Sequence, residues 1–239
     1  MDIINVCDVR KVYHIGTEKV VALSRISLSV AQGEICCILG TSGSGKSTLL
    51  NIMAGLERPS RGRILIGGKD VTHYTEKQWA LFRQKHIGFI FQSYNLMPTM
   101  TAIDNVALPL AFRGVKKEVR IRKAVKMLRA VRLGNRLLHR PTQMSGGQQQ
   151  RVGIARAFVA RPKLIFADEP TGNLDSKTGR EVMQLMVTMA KKYGETLIIV
   201  THDPEIAQYA GRIIKIHDGN KISDELNPAG VKQKEEQKA

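Results

Sequence analysis

Residues Gly33 to Gly55 read Gly-Glu-Ile-Cys-Cys-Ile-Leu-Gly-Thr-Ser-Gly-Ser-Gly-Lys-Ser-Thr-Leu-Leu-Asn-Ile-Met-Ala-Gly. The run Ile35-Cys36-Cys37-Ile38-Leu39 has the length and continuity of a strand buried on both faces. After it, Leu49, Leu50, Ile52, Met53 and Leu56 recur at helical spacing, which places a helix start near Lys46. Between strand and helix, Gly40-Thr41-Ser42-Gly43-Ser44-Gly45-Lys46-Ser47-Thr48 contains the pattern G-x-x-x-x-G-K-S. A glycine loop in that setting is a phosphate-binding loop. Gly43 and Gly45 lack a Cβ, so backbone N–H groups can close around phosphate oxygens. The helix start aims its unpaired N–H groups and positive dipole end at the same anion. Lys46 would reach the β- and γ-phosphates, and the Ser47 hydroxyl would ligate Mg²⁺. The pattern implies a nucleoside triphosphate site.

The chain of 239 residues is long enough for one substantial α/β core with an inserted subdomain. No apolar run approaches the ~20 residues that span a bilayer, and the start, Met1-Asp2-Ile3-Ile4-Asn5, lacks the regions of a signal peptide. Cys7, Cys36 and Cys37 form neither a disulfide framework nor a metal spacing, so a reducing, cytosolic setting is expected. The net charge is +16, from 37 basic and 21 acidic residues. Such an excess points to a polyanion, either nucleic acid or the anionic cytoplasmic face of a membrane. Much of it lies between Arg113 and Arg140, where a solvated helix face is the simplest reading.

Taken in order, residues 3–30 have strand patterning, with Ile26, Leu28 and Val30 alternating with Ser27 and Ser29 as in a half-buried antiparallel strand. Tyr13 is expected in a turn, where its ring could stack on a nucleobase or pack locally. Ile64-Leu65-Ile66 reads as a strand, Thr75–Gln84 as a helix capped by Thr75, and Ile87–Phe91 as a buried strand ending at Gln92. Strand signals then vanish from about residue 94 to 160. Helical patterns appear at 102–112, interrupted by Pro109, at 117–131 and at 148–160. Ser145-Gly146-Gly147-Gln148 opens the last of these as a second helix N-terminus stripped of side chains, either an anion site or a capped turn. Leu164-Ile165-Phe166-Ala167-Asp168-Glu169 reads as a parallel strand delivering two carboxylates at its C-terminal end. Asp168 would hold Mg²⁺ through water, and Glu169 is the candidate base for an attacking water. A helix capped by Gly194 follows, then the strand Thr196–Val200 leading to His202, and a hairpin around Asp218-Gly219.

Tyr13, the loop at 40–48, Gln92, Ser145-Gly146-Gly147-Gln148, Asp168-Glu169, Asn173-Leu174-Asp175 and His202 together resemble an ABC-type ATPase subunit over residues 2–226. Within that family, stretches such as Gly88-Phe89-Ile90-Phe91-Gln92-Ser93-Tyr94-Asn95-Leu96 are similar to the LolD- and MacB-like branch of lipoprotein release, macrolide efflux and peptide-antibiotic resistance. Thr41, Met144 and Phe166 depart from the usual residues without removing a chemical group.

The resemblance implies an α/β P-loop NTPase (RecA-like) with a mainly parallel core sheet, an N-terminal antiparallel β subdomain and an inserted α-helical subdomain. The expected domain spans residues 1–226, with core and β subdomain at 1–93 and 161–226, the helical subdomain at 94–160, and a disordered tail at 227–239. It further implies ATP and Mg²⁺, with Tyr13 on adenine, and Gln92 sensing the Mg²⁺ held by Ser47 and Asp168. Glu169 would polarise water and His202 would hold the γ-phosphate. A second copy would contribute Ser145, Gly146, Gly147, Gln148 and Asp175 in trans, in a head-to-tail dimer around two ATP molecules. The segment after Gln92 would dock a separate membrane permease of the FtsX/MacB type, at the cytoplasmic face of the cell membrane. An FtsE-like cell-division role is the alternative within the family. Direct nucleic-acid binding is not expected, because only a compact helical stretch separates Lys46 from Ser145 and the chain has a single P-loop.

Overall fold

A computed structural model describes residues 1–228 and 230. It resolves into two compact units, Met1–Ala80 with the chain from Thr196 onward, and Leu81–Glu195.

In the first unit, β1 (Asp2–Ile15) and β2 (Glu18–Ala31) form a long antiparallel hairpin, and β4 (Arg61–Ile66) and β5 (Lys69–Asp70) extend it in the order β2-β1-β4-β5. The alternation expected along β2 is present: Ile26, Leu28 and Val30 are buried, and Ser27 and Ser29 between them are not. Tyr13 lies within β1, paired with Val20, and not in a turn. Its neighbours Val12 and Val20 continue the β-branched pattern, which extends the hairpin further than the charged residues around it suggested. A second sheet layer has β3 (Ile35–Leu39) between two parallel partners, β8 (Thr196–Thr201) and β9 (Arg212–His217). β10 (Asn220–Leu226) closes it antiparallel to β9. Ile35 to Ile38 and the whole of β8 are buried, as continuous apolar runs in a parallel sheet require.

α1 (Lys46–Met53) buries Leu49, Leu50, Ile52 and Met53, whereas Leu56 falls beyond the helix and is exposed. α2 (Glu76–His86) starts where Thr75 Oγ1 accepts from Gln78 N at 3.3 Å, and it buries Trp79. The short α7 (Pro204–Ala207) precedes β9. Asn227, expected in the tail, is nine-tenths buried, and its side chain donates to Gln208 O and Ala210 O at 3.3 and 2.8 Å. The rest of that expected tail, at 229 and 231–239, lies outside the described residues.

The second unit pairs β6 (Ile87–Phe91) in parallel with β7 (Leu164–Asp168) and surrounds them with α3 (Ala102–Phe112), α4 (Lys117–Ala130), α5 (Gly146–Phe158) and α6 (Ser176–Tyr193). A Cβ on Gly88 would stand 2.8 Å from Ala157 O, so glycine lets β6 and α5 pack closely. α3 runs unbroken through Pro109. Proline there removes one backbone hydrogen bond, but Ala102, Val106, Ala107 and Leu110 are buried and hold the helix together. Gly194, at φ 66, ends α6 as expected.

Candidate functional site

The loop after β3 is shaped by its surroundings in the first unit. Gly40 N donates to Thr201 O at 3.3 Å, and a Cβ on Gly40 would stand 2.2 Å from Ile216 O. From outside, Gly219 N donates to Ser44 O at 3.0 Å, and Ser24 N donates to Gly219 O at 2.9 Å. Gly45 has φ 97, and any Cβ there would meet Ala22 O at 2.4 Å. Gly43 also has positive φ (79), yet a Cβ on it would meet nothing within 4 Å. Gly45 is therefore glycine for close packing and for its dihedral, and Gly43 for its dihedral alone.

The start of α1 differs from those of α3, α5 and α6 and, like that of α4, has no side-chain cap. α3, α5 and α6 are capped by the side chains of Thr101, Ser145 and Asp175, whereas α1 has Gly45 at its N-cap and no side-chain cap. No side chain takes its first-turn N–H groups, and the dipole's positive end lies at the loop, which suits a phosphate. Lys46 is 6% exposed, and its Nζ donates to Thr41 O at 2.7 Å, across the same loop. The residues present fit a polyphosphate.

Tyr13 reaches this loop from β1. Its hydroxyl lies 3.5 Å from Thr48 Oγ1 and donates to the Glu57 carboxylate at 2.5 Å. Burial and that hydrogen bond raise the Tyr13 phenol. Burial opposes the charge of Glu57, but donors from Tyr13, Asn51 and Lys11 prevail and hold its carboxyl below the usual range. His202 is exposed one residue beyond β8, whose Thr201 pairs with Leu39. The first unit thus brings together Tyr13, residues 40–48 and the start of the His202 turn.

The second unit gathers the remaining expected residues. Phe91 and Asp168 are register partners at the ends of β6 and β7, so Gln92 and Glu169 leave from adjacent strand ends. Asp168 and Glu169 are half-buried, and Glu169 has φ 43, a left-handed conformation that costs a non-glycine residue of order 1 kcal/mol. The turn is closed by Gly172 N donating to Glu169 O at 3.1 Å. Gln92 Nε2 donates to Asn173 Oδ1 at 3.3 Å, and Asn173 Nδ2 donates to Gln92 O at 3.1 Å. A Cβ on Gly172 would collide with the Gln92 amide at 2.6 Å, so the glycine makes that pairing possible.

At the start of α5, Ser145 Oγ accepts from Gln148 N at 3.3 Å, and Gln148 Oε1 accepts from Ser145 N at 3.2 Å. This is a capping box, so the capped-turn reading of the segment holds, and the serine hydroxyl still has its own proton to donate. The glycines have a packing reason as well. A Cβ on Gly146 would stand 2.7 Å from the Tyr94 hydroxyl, and one on Gly147 would stand 2.4 Å from Thr178 Cγ2. Asp175 caps α6, accepting from Lys177 N and Thr178 N at 3.1 and 3.0 Å, and the Thr178 side chain, with these backbone donors, holds its carboxyl below the ordinary value.

Three residues near these elements were missed from the sequence. Gln150 is buried and donates to Pro170 O at 2.5 Å and Phe91 O at 3.3 Å, tying α5 to the strand ends. Arg156 donates to Asn95 O at 2.5 Å and Tyr94 O at 2.8 Å, and burial lowers its guanidinium. It thereby clasps two consecutive left-handed residues, Tyr94 (φ 60) and Asn95 (φ 47). Buried Asn105 accepts from Met97 N, and the two protons of its Nδ2 are shared among Met97 O, Met100 O and Thr101 O, fixing the segment after Gln92 onto α3. A signal existed for Gln150, which is in helical phase with the apolar residues Ile154 and Phe158. Among the described residues no helix is long and apolar enough to cross a membrane.

The family model described as ABC transporter matches residues 23–172. The chain is 51% identical to the ABC transporter ATP-binding protein YtrE of Bacillus subtilis (strain 168), over 84% of this chain and 87% of the relative. It is 46% identical to the lipoprotein-releasing system ATP-binding protein LolD of Geobacter metallireducens, over 93% of this chain and 99% of the relative. It is 47% identical to the macrolide export ATP-binding/permease protein MacB of Syntrophobacter fumaroxidans, over 92% of this chain but 31% of that longer protein. Among solved structures, a dimeric, post-hydrolysis state of the ATP-binding cassette MJ0796 bound to ADP and Pi has TM-score 0.86 and 40% identity, covering 93% of this chain and 98% of the other.

Proposed function

The chain belongs to the ABC transporter family, and on that premise we propose that it is the ATP-binding, ATP-hydrolysing subunit of a transporter whose permease is a separate polypeptide. The observation that carries this reading is the loop at 40–48. A helix start without a side-chain cap, two left-handed glycines and a buried lysine that donates to Thr41 O lie together on this one loop, a combination that suits a polyphosphate.

In this reading Lys46 exchanges Thr41 O for the β- and γ-phosphate oxygens of ATP, and residues 40–48 wrap the phosphates. Tyr13 stacks on adenine. Magnesium, when bound, neutralises phosphate charge, and Ser47, Gln92 and Asp168 supply the oxygen donors that a hard cation prefers. Glu169 accepts the proton of the attacking water, and His202 holds the γ-phosphate. A second copy, arranged head to tail, offers the start of its α5 to the same phosphate. There Ser145 takes the Gln148 N–H on a lone pair and keeps its hydroxyl proton for a phosphate oxygen, with Gly146 and Gly147 leaving room. Asp175 of that copy links the two sites.

The dimeric cassette solved with ADP and Pi supports the pairing, and the MacB name, which joins an ATP-binding part to a permease, supports an FtsX/MacB-type partner. The chain then works at the cytoplasmic face of the membrane that holds the permease. Glu169→Gln tests the reading. Hydrolysis should slow by about 10²–10⁴-fold while ATP binding survives, and ATP should drive the variant into dimers on size exclusion. Pull-down of that variant with ATP and Mg²⁺ from detergent-solubilised membranes should recover the permease. Undiminished turnover would overturn the role of Glu169, and recovery of nucleic-acid-binding proteins without a membrane protein would overturn the partner.

A further inference from the structure

The α3–α4 hairpin carries charge for which ATP hydrolysis has no use. α4 buries Ala124, Met127 and Leu128 on its inner side. Lys117, Arg122, Lys123, Lys126 and Arg129 are exposed along it, and exposed Arg132 follows in the next turn. Arg122, Lys126 and Arg129 fall within about 60° of one another around the helix axis. Between Arg113 and Arg140 the only acidic residue is Glu118. Among the described residues none of these six cations forms an ion pair. Like charges at such spacing repel each other, so the face gains from a counter-charge supplied by another body.

The chemistry of that body is narrowed by the rest of the segment. From Arg113 to Arg140 there is no Phe, Tyr, Trp, Ser or Thr, and Asn135 is the only amide side chain. The face therefore has charge but no Phe, Tyr or Trp platform for bases, and beyond its cations and Asn135 little to read their edges. Phe112 and Leu138, exposed at 68% and 76%, bracket the segment at its two ends. A cationic helix face with exposed apolar side chains before and after it in the chain is suited to a lipid headgroup layer.

We propose that the outer face of α4, with Arg132, docks directly on an anionic phospholipid surface, anchored at its margins by Phe112 and Leu138. This goes beyond the proposed function, because it needs neither permease nor nucleotide. Each Lys or Arg near an anionic bilayer strengthens binding by about fivefold, and the attraction weakens as salt shortens the Debye length.

The test sediments the full chain with phosphatidylcholine vesicles and with vesicles that also contain phosphatidylglycerol. A gel shift with non-specific duplex DNA is run at the same ionic strength. The chain should sediment only with the mixed vesicles and be released by added salt. The variant Arg122→Gln/Lys123→Gln/Lys126→Gln/Arg129→Gln should bind them at least a hundredfold more weakly, on the order expected for four lost cations. Its basal ATP hydrolysis should be unchanged, which separates this result from any failure of the catalytic reading. If that variant does not fold, Lys123→Gln/Lys126→Gln should still weaken binding by about 25-fold. Equal sedimentation with phosphatidylcholine alone, no sedimentation with mixed vesicles, or undiminished binding by the variants would overturn the proposal. Tighter binding to the DNA than to the mixed vesicles would overturn it in favour of nucleic acid.

Discussion

Glu195 makes folding stability depend on pH in a direction opposite to that of a salt-bridged carboxylate. It follows Gly194 at the end of α6, where its N donates to Ala190 O at 3.1 Å. The residue is 4% exposed, and neither carboxylate oxygen has a hydrogen-bond partner among the described residues. Burial pushes its carboxyl up from the ordinary 4.5 to about 8, against the attraction of Arg161. The folded chain therefore keeps this proton up to about pH 8, whereas the unfolded chain releases it near 4.5. Across that window the unfolded state binds fewer protons, so stability falls as pH rises and levels off above it. The whole drop amounts to at most about 5 kcal/mol. Glu195→Gln is the neutral isostere of the protonated acid. It should match the wild type below pH 4.5 and exceed it by up to that amount above pH 8. In urea unfolding followed by circular dichroism, with an m-value of about 3 kcal/mol/M, the midpoints should separate by up to about 1.7 M at the alkaline end. Parallel pH profiles for the two proteins, or a less stable Glu195→Gln at alkaline pH, would refute the reasoning.

Two further substitutions probe packing that the proposed chemistry does not use. Gly55 has φ 66, and a Cβ on it would stand 2.1 Å from the Trp79 ring, so Gly55→Ala should cost about 3 kcal/mol or more. Thermal unfolding should show the loss, and adding Trp79→Leu should recover part of it; an unchanged midpoint in the single variant would show that α2 yields freely. Arg113 donates to Gln84 O, Ala160 O and Lys85 O at 2.7, 2.6 and 2.9 Å, fixing the end of α3 to its neighbours. Arg113→Ala should lose about 2–4 kcal/mol in urea unfolding, and Arg113→Lys should restore little of it, because an ammonium cannot reproduce the guanidinium fork. Full rescue by lysine would mean that charge, not geometry, matters at this position.

What the sequence determined by itself was whatever local periodicity and spacing encode. The apolar run before Gly40, the glycine pattern to Lys46 and the helical phase of Leu49 to Met53 are contiguous, so they could be read without knowing what packs on them. The buried strands at 87–91, 164–168 and 196–200 were legible for the same reason: a run apolar on both faces has few other uses. The tertiary structure decided what depends on distant partners. Pro109 looks like a break until the buried face of α3 is seen, and Tyr13 looks like a turn residue until Val20 pairs with it. Gly45 and Gly146 read as openings for a phosphate, yet only the fold brings Ala22 O and the Tyr94 hydroxyl against them. Helical phase marked Gln150 as inward-facing, but what it, Arg156 and Asn105 bind was not legible, because their partners are backbone groups, and a backbone group leaves no mark in sequence. Side-chain chemistry is written in the chain, but the backbone atoms that a side chain meets are set by folding alone.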